Sequence, residues 1–296
     1  MFNSYGRVIA TCLFLSLGGC QSTSQNTVPT SSHLGQLIIG EPLAVNFKNE
    51  VRLARISDLI HSDELKPQHL SQAFFERGVL YDSFGLTNLA RIDFNRALRK
   101  NPKMADAYNF LGIHLTMAGQ FDKAYEAFDA TLELNPEHQY VYLNRGISLH
   151  YGGHKKLAVE DLTSFHQFEP SDPYRAIWLF IAEHRIDQAK ALANLKLNLQ
   201  SIDDSLWAKK IGELFAMRIS EAQFVKSLAV GISKNKAMAE RLCEAYFYLG
   251  IYTRMYDQNE RAINYFKLSL ATNVFEFVEH RYARRELLET RLQLHR

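Results

Sequence analysis

The sequence predicts an all-α protein: a helical solenoid flanked by an N-terminal amphipathic helix and a C-terminal capping helix. Three observations predict it. Gly78, Gly112 and Gly146 stand 34 residues apart, and Ala90, Ala124 and Ala158, then Pro102, Pro136 and Pro170, keep that spacing. The chain has only seven prolines, so three of them in register with two other residue types is not chance. Outside this stretch apolar residues recur at helical spacing, as in Val51, Leu53, Ala54, Ile56, Leu59 and Ile60. No segment shows the polar–apolar alternation of a strand. Apolar residues at 47% and charged residues at 22% are ordinary for a folded protein. A net charge of +2 gives no electrostatic footprint for nucleic acid.

Residues 1–19 read as a signal segment. Arg7 supplies the positive start, and the apolar run from Val8 to Leu17 is too short to span a bilayer. It ends in Leu17-Gly18-Gly19-Cys20, which resembles the bacterial lipobox. Small residues admit a peptidase, and the Cys20 sulfur takes a diacylglycerol. With an N-acyl chain added after cleavage, the lipids suffice for stable membrane anchoring. Gln21 after the cysteine, rather than Asp, favours the outer membrane. Residues 20–45 are predicted to form a lipidated flexible tether, since Ser, Thr, Gln and Asn dominate their first half and cannot bury a core. Residues 46–66 hold the amphipathic helix, whose apolar face needs cover from the first repeat or from another subunit; it is the predicted dimerisation element. Cys12 leaves with the signal and Cys20 carries lipid, so Cys243 stands alone and reads as a small buried residue.

The repeat units begin at Ser71, Ala105 and Gln139 and fill residues 71–172. An aromatic, then Gly, Ala and Pro at this period is the signature of the tetratricopeptide repeat, a helix-turn-helix unit. Position 4 holds Phe74, Tyr108 and Tyr142 between paired helices. Position 8 is Gly and position 20 is Ala, where the two helices approach closely. Position 24, with Phe94, Phe128 and Leu162, is expected to plug into the next unit. Proline at position 32 pushes the residue before it out of helical geometry, so Asn101, Asn135 and Glu169 should end each second helix. At position 27 Ala97 fits the pattern, whereas Thr131 and Phe165 depart from it; Phe165 points to irregular packing beside unit three. Residues 173–242 read as degenerate helical repeats and residues 243–276 as a fourth clear unit. Residues 277–296 form the capping helix that a solenoid needs.

No catalytic residue is predicted. Gly146-Ile147-Ser148-Leu149-His150 lacks the last glycine of a hydrolase elbow, and Gly146 already has a packing role. His150 and His154 have a zinc-compatible spacing, but Gly152 and Gly153 break the helix between them, so no metal is predicted. No cofactor is implied beyond the lipid on Cys20. The functional candidate is a groove on the concave face, lined by positions 2, 5, 9, 12 and 13. Its predicted partner-binding residues are Gln72, Phe75, Asp82 and Ser83 in unit one; Asp106, Asn109, Thr116 and Met117 in unit two; and Tyr140, His150 and Tyr151 in unit three. Aromatic and Met side chains among polar ones suit an extended or helical polypeptide. Val79, Ile113 and Ile147 fit either the groove or packing between units. Because they occupy position 9, capture of a chain terminus by a carboxylate clamp is not expected. The basic C-terminal stretch (Arg281, Arg284, Arg285, Arg291, Arg296) is either a solvated face or an anionic-partner contact.

The segments RGVLYDS (77–83), AYEAFD (124–129), LNRGISLHYGG (143–153), FYLG (247–250) and FVEHRYA (277–283) resemble the NlpI family of bacterial outer-membrane lipoproteins. That resemblance implies a repeat-rich homodimer anchored in the outer membrane and facing the periplasm. It also implies an adaptor that binds peptidoglycan endopeptidases and a periplasmic tail-specific protease, regulating hydrolase turnover during cell-wall growth and division. The alternative readings are an outer-membrane protein assembly factor and a cryptic murein hydrolase.

Overall fold

In a computed structural model the described residues are 37–62 and 65–294. Cys20, the signal segment and the tether as far as residue 36 lie outside them. Among the described residues there are fourteen α-helices, one 3-10 turn and no strand. The N-terminal helix is α1 (Phe47–His61). The three repeats are the pairs α2 (Pro67–Ser83) with α3 (Thr87–Lys100), α4 (Ala105–Met117) with α5 (Phe121–Leu134), and α6 (Gln139–Tyr151) with α7 (Lys155–Phe168). The irregular region holds α8 (Pro173–His184), α9 (Gln188–Asn198), α10 (Lys209–Phe215) and α11 (Glu221–Ser227). A long α12 (Asn235–Met255) pairs with α13 (Asn259–Leu270), and α14 (Val278–Leu294) closes the chain.

The repeat residues explain the pairing. A β-carbon on Gly78 would come within 2.7 Å of the Phe94 ring, one on Gly112 within 2.5 Å of Phe128, and one on Gly146 within 2.7 Å of Leu162. Gly250 meets Phe266 in the same way. Position 24 therefore also folds back onto the glycine of its own unit, a contact in addition to the expected one with the next unit. Phe94 does both, stacking on Phe110 of unit two with ring centroids 5.0 Å apart. Ala90, Ala124, Ala158 and Ala262 are fully buried. Fully burying a Phe or Leu side chain contributes on the order of 2–3 kcal/mol, so each of these contacts is a sizeable part of its unit's packing.

Position 27 has a polar logic that the pattern did not reveal. Ser71 Oγ donates to the Ala97 carbonyl at 2.9 Å, Thr131 Oγ1 to that of Ala105 at 3.3 Å, and Ser269 Oγ to that of Cys243 at 2.8 Å. Positions 1 and 27 thus share a hydroxyl, and Cys243 is the small residue opposite one. It sits mid-helix in α12 and is fully buried, which pushes its thiol up to about 12. Phe165 lies beneath the Arg175 guanidinium at 4.2 Å. Arg175 also donates to the Phe165 carbonyl at 2.7 Å, so the irregular packing at unit three is a cation over a ring. Asn101, Asn135 and Glu169 are the C-caps of α3, α5 and α7 in extended or near-extended geometry.

The N-terminal segment departs from a free tether before residue 45. The Tyr246 hydroxyl donates to the Ile38 carbonyl, and the Leu43 amide donates to the Thr272 carbonyl at 2.8 Å. Leu43 joins Phe277 against a buried cluster of Ala239, Cys243 and Val274. Composition hid this, because one leucine, one backbone bond and one tyrosine hydroxyl are enough to dock a short stretch of chain. α1 is capped by the Asn46 side chain, which accepts from the Lys48 amide at 2.9 Å. It has no buried residue: Val51, Leu53, Ile56 and Ile60 are only half covered.

Candidate functional site

Each first helix of units one to three carries its position 12 and 13 residues near its C-terminal end, facing the concave side. That space is not open. α14 returns across it, and its inward side chains close on the predicted groove. Arg281 pairs with Asp82 at 2.6 Å across 199 residues of sequence, and His114 approaches the other Asp82 oxygen at 2.9 Å. Burial alone would raise the Asp82 carboxyl, but His114 and Arg281 outweigh it and hold the group below its usual range. The Tyr151 hydroxyl donates to Glu286 at 2.7 Å, and Arg254 of α12 reaches the other Glu286 oxygen at 2.5 Å. Tyr282 stacks on Tyr151 with centroids 5.5 Å apart, and Arg285 lies over the Phe121 ring at 4.8 Å. Burial pushes the Glu286 carboxyl up, with Arg254 and Tyr151 offsetting part of that shift.

The predicted groove residues therefore separate into three groups. Asp82, Asn109, Thr116, His150 and Tyr151 are buried and satisfied within the fold, so they are not accessible to a partner. Asn109 accepts from Asn144 at 3.0 Å, and Thr116 donates to the Gly112 carbonyl at 2.8 Å. His150 lies beside Arg185, and burial first, then that guanidinium, lowers its imidazole to about 3, so it is neutral. Phe75, Ser83 and Met117 are half-buried. Phe75 belongs to an aromatic cluster with Phe94 and Phe110 at 5.8 and 5.9 Å, and Ser83 Oγ donates to the Leu80 carbonyl at 2.8 Å. Gln72, Asp106 and Tyr140, all at position 2, stay exposed along the edge of the solenoid. The position 9 side chains Ile113 and Ile147 are buried, which favours the packing reading for both. The physical reason is closure: the helix pairs curve until the C-terminal helix meets the first unit.

Periodicity gave no sign of a cavity of about 720 Å³ in the irregular region. Asp172, Tyr174, Asp203, Trp207, Glu240 and Glu244 are among its walls. Arg241 lies over the Trp207 ring at 4.9 Å. Burial and then the nearby Glu279 raise the Glu244 carboxyl to about 8, with the Tyr174 hydrogen bond acting against that shift. Among the described residues no group of three or more His, Cys, Asp or Glu is placed to hold a metal ion, and no helix is long and apolar enough to cross a membrane.

Residues 105–138, which form unit two, match the family model described as tetratricopeptide repeat. Unit two is a tetratricopeptide repeat. A tetratricopeptide repeat protein from Parabacteroides merdae aligns over 81% of this chain and 91% of its own, at 16% identity and a TM-score of 0.51. The C-terminal part of a TPR repeat-containing protein from Cytophaga hutchinsonii aligns over 76% and 90%, at 19% identity and a TM-score of 0.48. The Pseudomonas aeruginosa protein pilF aligns over 75% and 100%, at 18% identity and a TM-score of 0.46. The fold is a tetratricopeptide-repeat solenoid, an architecture that supports protein–protein contacts.

Proposed function

We propose that this protein is a non-catalytic adaptor, anchored in the outer membrane through lipid on Cys20 and facing the periplasm. It brings peptidoglycan endopeptidases together with a tail-specific protease and so regulates hydrolase turnover during cell-wall growth. The observation that carries this reading is the tetratricopeptide-repeat solenoid itself, which offers edges and faces on which two proteins can sit at once. The lipobox and the NlpI-like segments supply the compartment and the partners.

A homodimer is part of the proposal. Val45, Phe47, Leu86, Leu89 and Ile92 are exposed, with Phe47 at 73%. Val45 and Leu86 line one apolar cavity of about 530 Å³ with Leu53, Ala54 and Phe84. A second copy would cover this face. Affinity capture from periplasmic extract tests the adaptor reading: recovery of an endopeptidase and the protease is expected, and recovery of neither would overturn it. A chain starting at Pro67 is expected to sediment as a monomer.

A further inference from the structure

The charges of α14 are sorted by direction. Its three acids all turn to partners within the protein: Glu279 accepts from Tyr248 at 2.7 Å, Glu286 from Tyr151 at 2.7 Å, and Glu289 pairs with Arg285 at 2.8 Å. Arg281 is spent on Asp82 at 2.6 Å. Arg284 and Arg291 are exposed and have no acid partner among the described residues. Arg284, Leu288, Arg291 and Leu292 follow one another at helical spacing and so share a stripe of the helix. Leu288 and Leu292 are 55% and 54% exposed. Beside this stripe runs a groove of about 290 Å³, lined by Leu287, Leu288 and four arginines of α14 and, from another helix, by Met117 at the end of α4.

An apolar lining with uncompensated guanidiniums beside it leaves two complementary demands: leucines that gain from being covered, and cations that gain from carboxylates. We propose that this face of α14 docks an amphipathic acidic segment of another protein. Its apolar side chains would enter between Met117 and Leu288, and its flanking carboxylates would meet Arg284 and Arg291. Charge decides against a second copy using the same face, because a two-fold pairing would set these arginines against their own images. Met117 on α4 decides against a bilayer, since a headgroup plane would touch the ridge of α14 and leave the groove empty. The inference rests on the adaptor reading above and adds to it an address and a partner chemistry. It also relocates the docking surface: α14 fills the interior of the solenoid and presents its own outer face in its place.

The test uses the full chain and a fluorescein-labelled synthetic helix with leucines at four-residue spacing and glutamates on both flanks. A version with lysines for glutamates and vesicles of phosphatidylglycerol serve as the other arms. The glutamate peptide is expected to bind and the lysine peptide not to. Combining Arg284→Glu with Arg291→Glu, both exposed and remote from the core, should weaken binding by about tenfold or more, and Leu288→Ser should also weaken it. Unchanged thermal unfolding keeps these variants interpretable, and the paired Arg→Lys variant should retain most of the affinity. Raising salt from about 50 to about 500 mM should weaken binding, as charge contacts at a surface require. Equal binding of the two peptides, an unaffected double variant, or binding to vesicles without binding to the glutamate peptide would overturn the proposal. Periplasmic partners still captured by the double variant would overturn this surface and leave the adaptor reading standing. Failure of the wild-type chain to capture them would remove that reading while the charge dependence of peptide binding stayed measurable.

Discussion

Units one to three and residues 173–242 solve the same problem, packing one helix on the next, by different means. In the regular units a glycine on the first helix receives a large side chain from the second, and the helices run 13 to 17 residues. In the irregular region α10 and α11 are seven residues each, and Gly212 receives Leu199 from a preceding turn rather than from a paired helix. The turns differ too. Units one to three reverse at Gly85, Gly119 and Gly153 with φ of 73°, 74° and 88°, whereas the α10–α11 reversal uses Met217 at 56°. Units one to three keep glycine at this turn, whereas the α12–α13 turn holds Asp257 at 58° and the irregular region holds Met217, each a side chain in the left-handed region.

The sharpest way to break this contrast is Phe128→Ala. It empties the site against Gly112 and is expected to cost about 3–5 kcal/mol in denaturant unfolding. A loss under about 1 kcal/mol would show that the glycine contact does not hold the unit together.

The second prediction concerns pH in the irregular region. Glu244 faces Glu279, Glu240, Tyr174 and Arg241, and burial lifts its carboxyl from 4.5 to about 8. The folded state therefore binds a proton that the unfolded state releases. Its contribution to stability is fully present below about pH 4.5 and is lost as pH rises from there to about 8, with a slope of at most about 1.4 kcal/mol per pH unit. Glu244→Gln should flatten the stability profile across that window, and an unchanged slope would place the proton elsewhere.

The smallest effects come from the paired turn variants. Met217→Gly should stabilise by roughly 0.5–1 kcal/mol by removing a side chain from positive φ, and Gly153→Ala should destabilise by about 1 kcal/mol. At Gly153 a new β-carbon meets nothing within 4 Å, so that change reads backbone strain alone. Equal signs for the two would erase the distinction between the regions.

Much of the fold was legible because the repeat writes its contacts at fixed offsets. Gly78 with Phe94, Ala90 and the proline after Asn101 are all local, and each recurs. The turn glycines Gly85, Gly119 and Gly153 share the same spacing and could have been read with the others. The path of α14 was not legible. Asp82 meets Arg281 across 199 residues and Tyr151 meets Glu286 across 135, and no period links such pairs. For the same reason the sequence pattern shows no sign that Asp82 and Tyr151 are partnered by Arg281 and Glu286 of the chain's own last helix. Exposed position 2, with Gln72, Asp106 and Tyr140, remains at the surface, and half-buried Met117 lines the groove beside α14.

The docking of residues 38–43 on the last repeat also sets how the body carries load. Tension arriving along the chain from before Leu37 is borne first by the Leu43–Thr272 backbone bond at 2.8 Å and the Tyr246–Ile38 contact. It therefore enters at α12 and at the turn after α13, the end of the sequence opposite to the one being pulled. Because α14 ties that end back to unit one through Arg281 and Asp82, the force crosses a short bridge. The repeats then work in parallel with that bridge, and a tug on the N-terminus need not stretch them one after another.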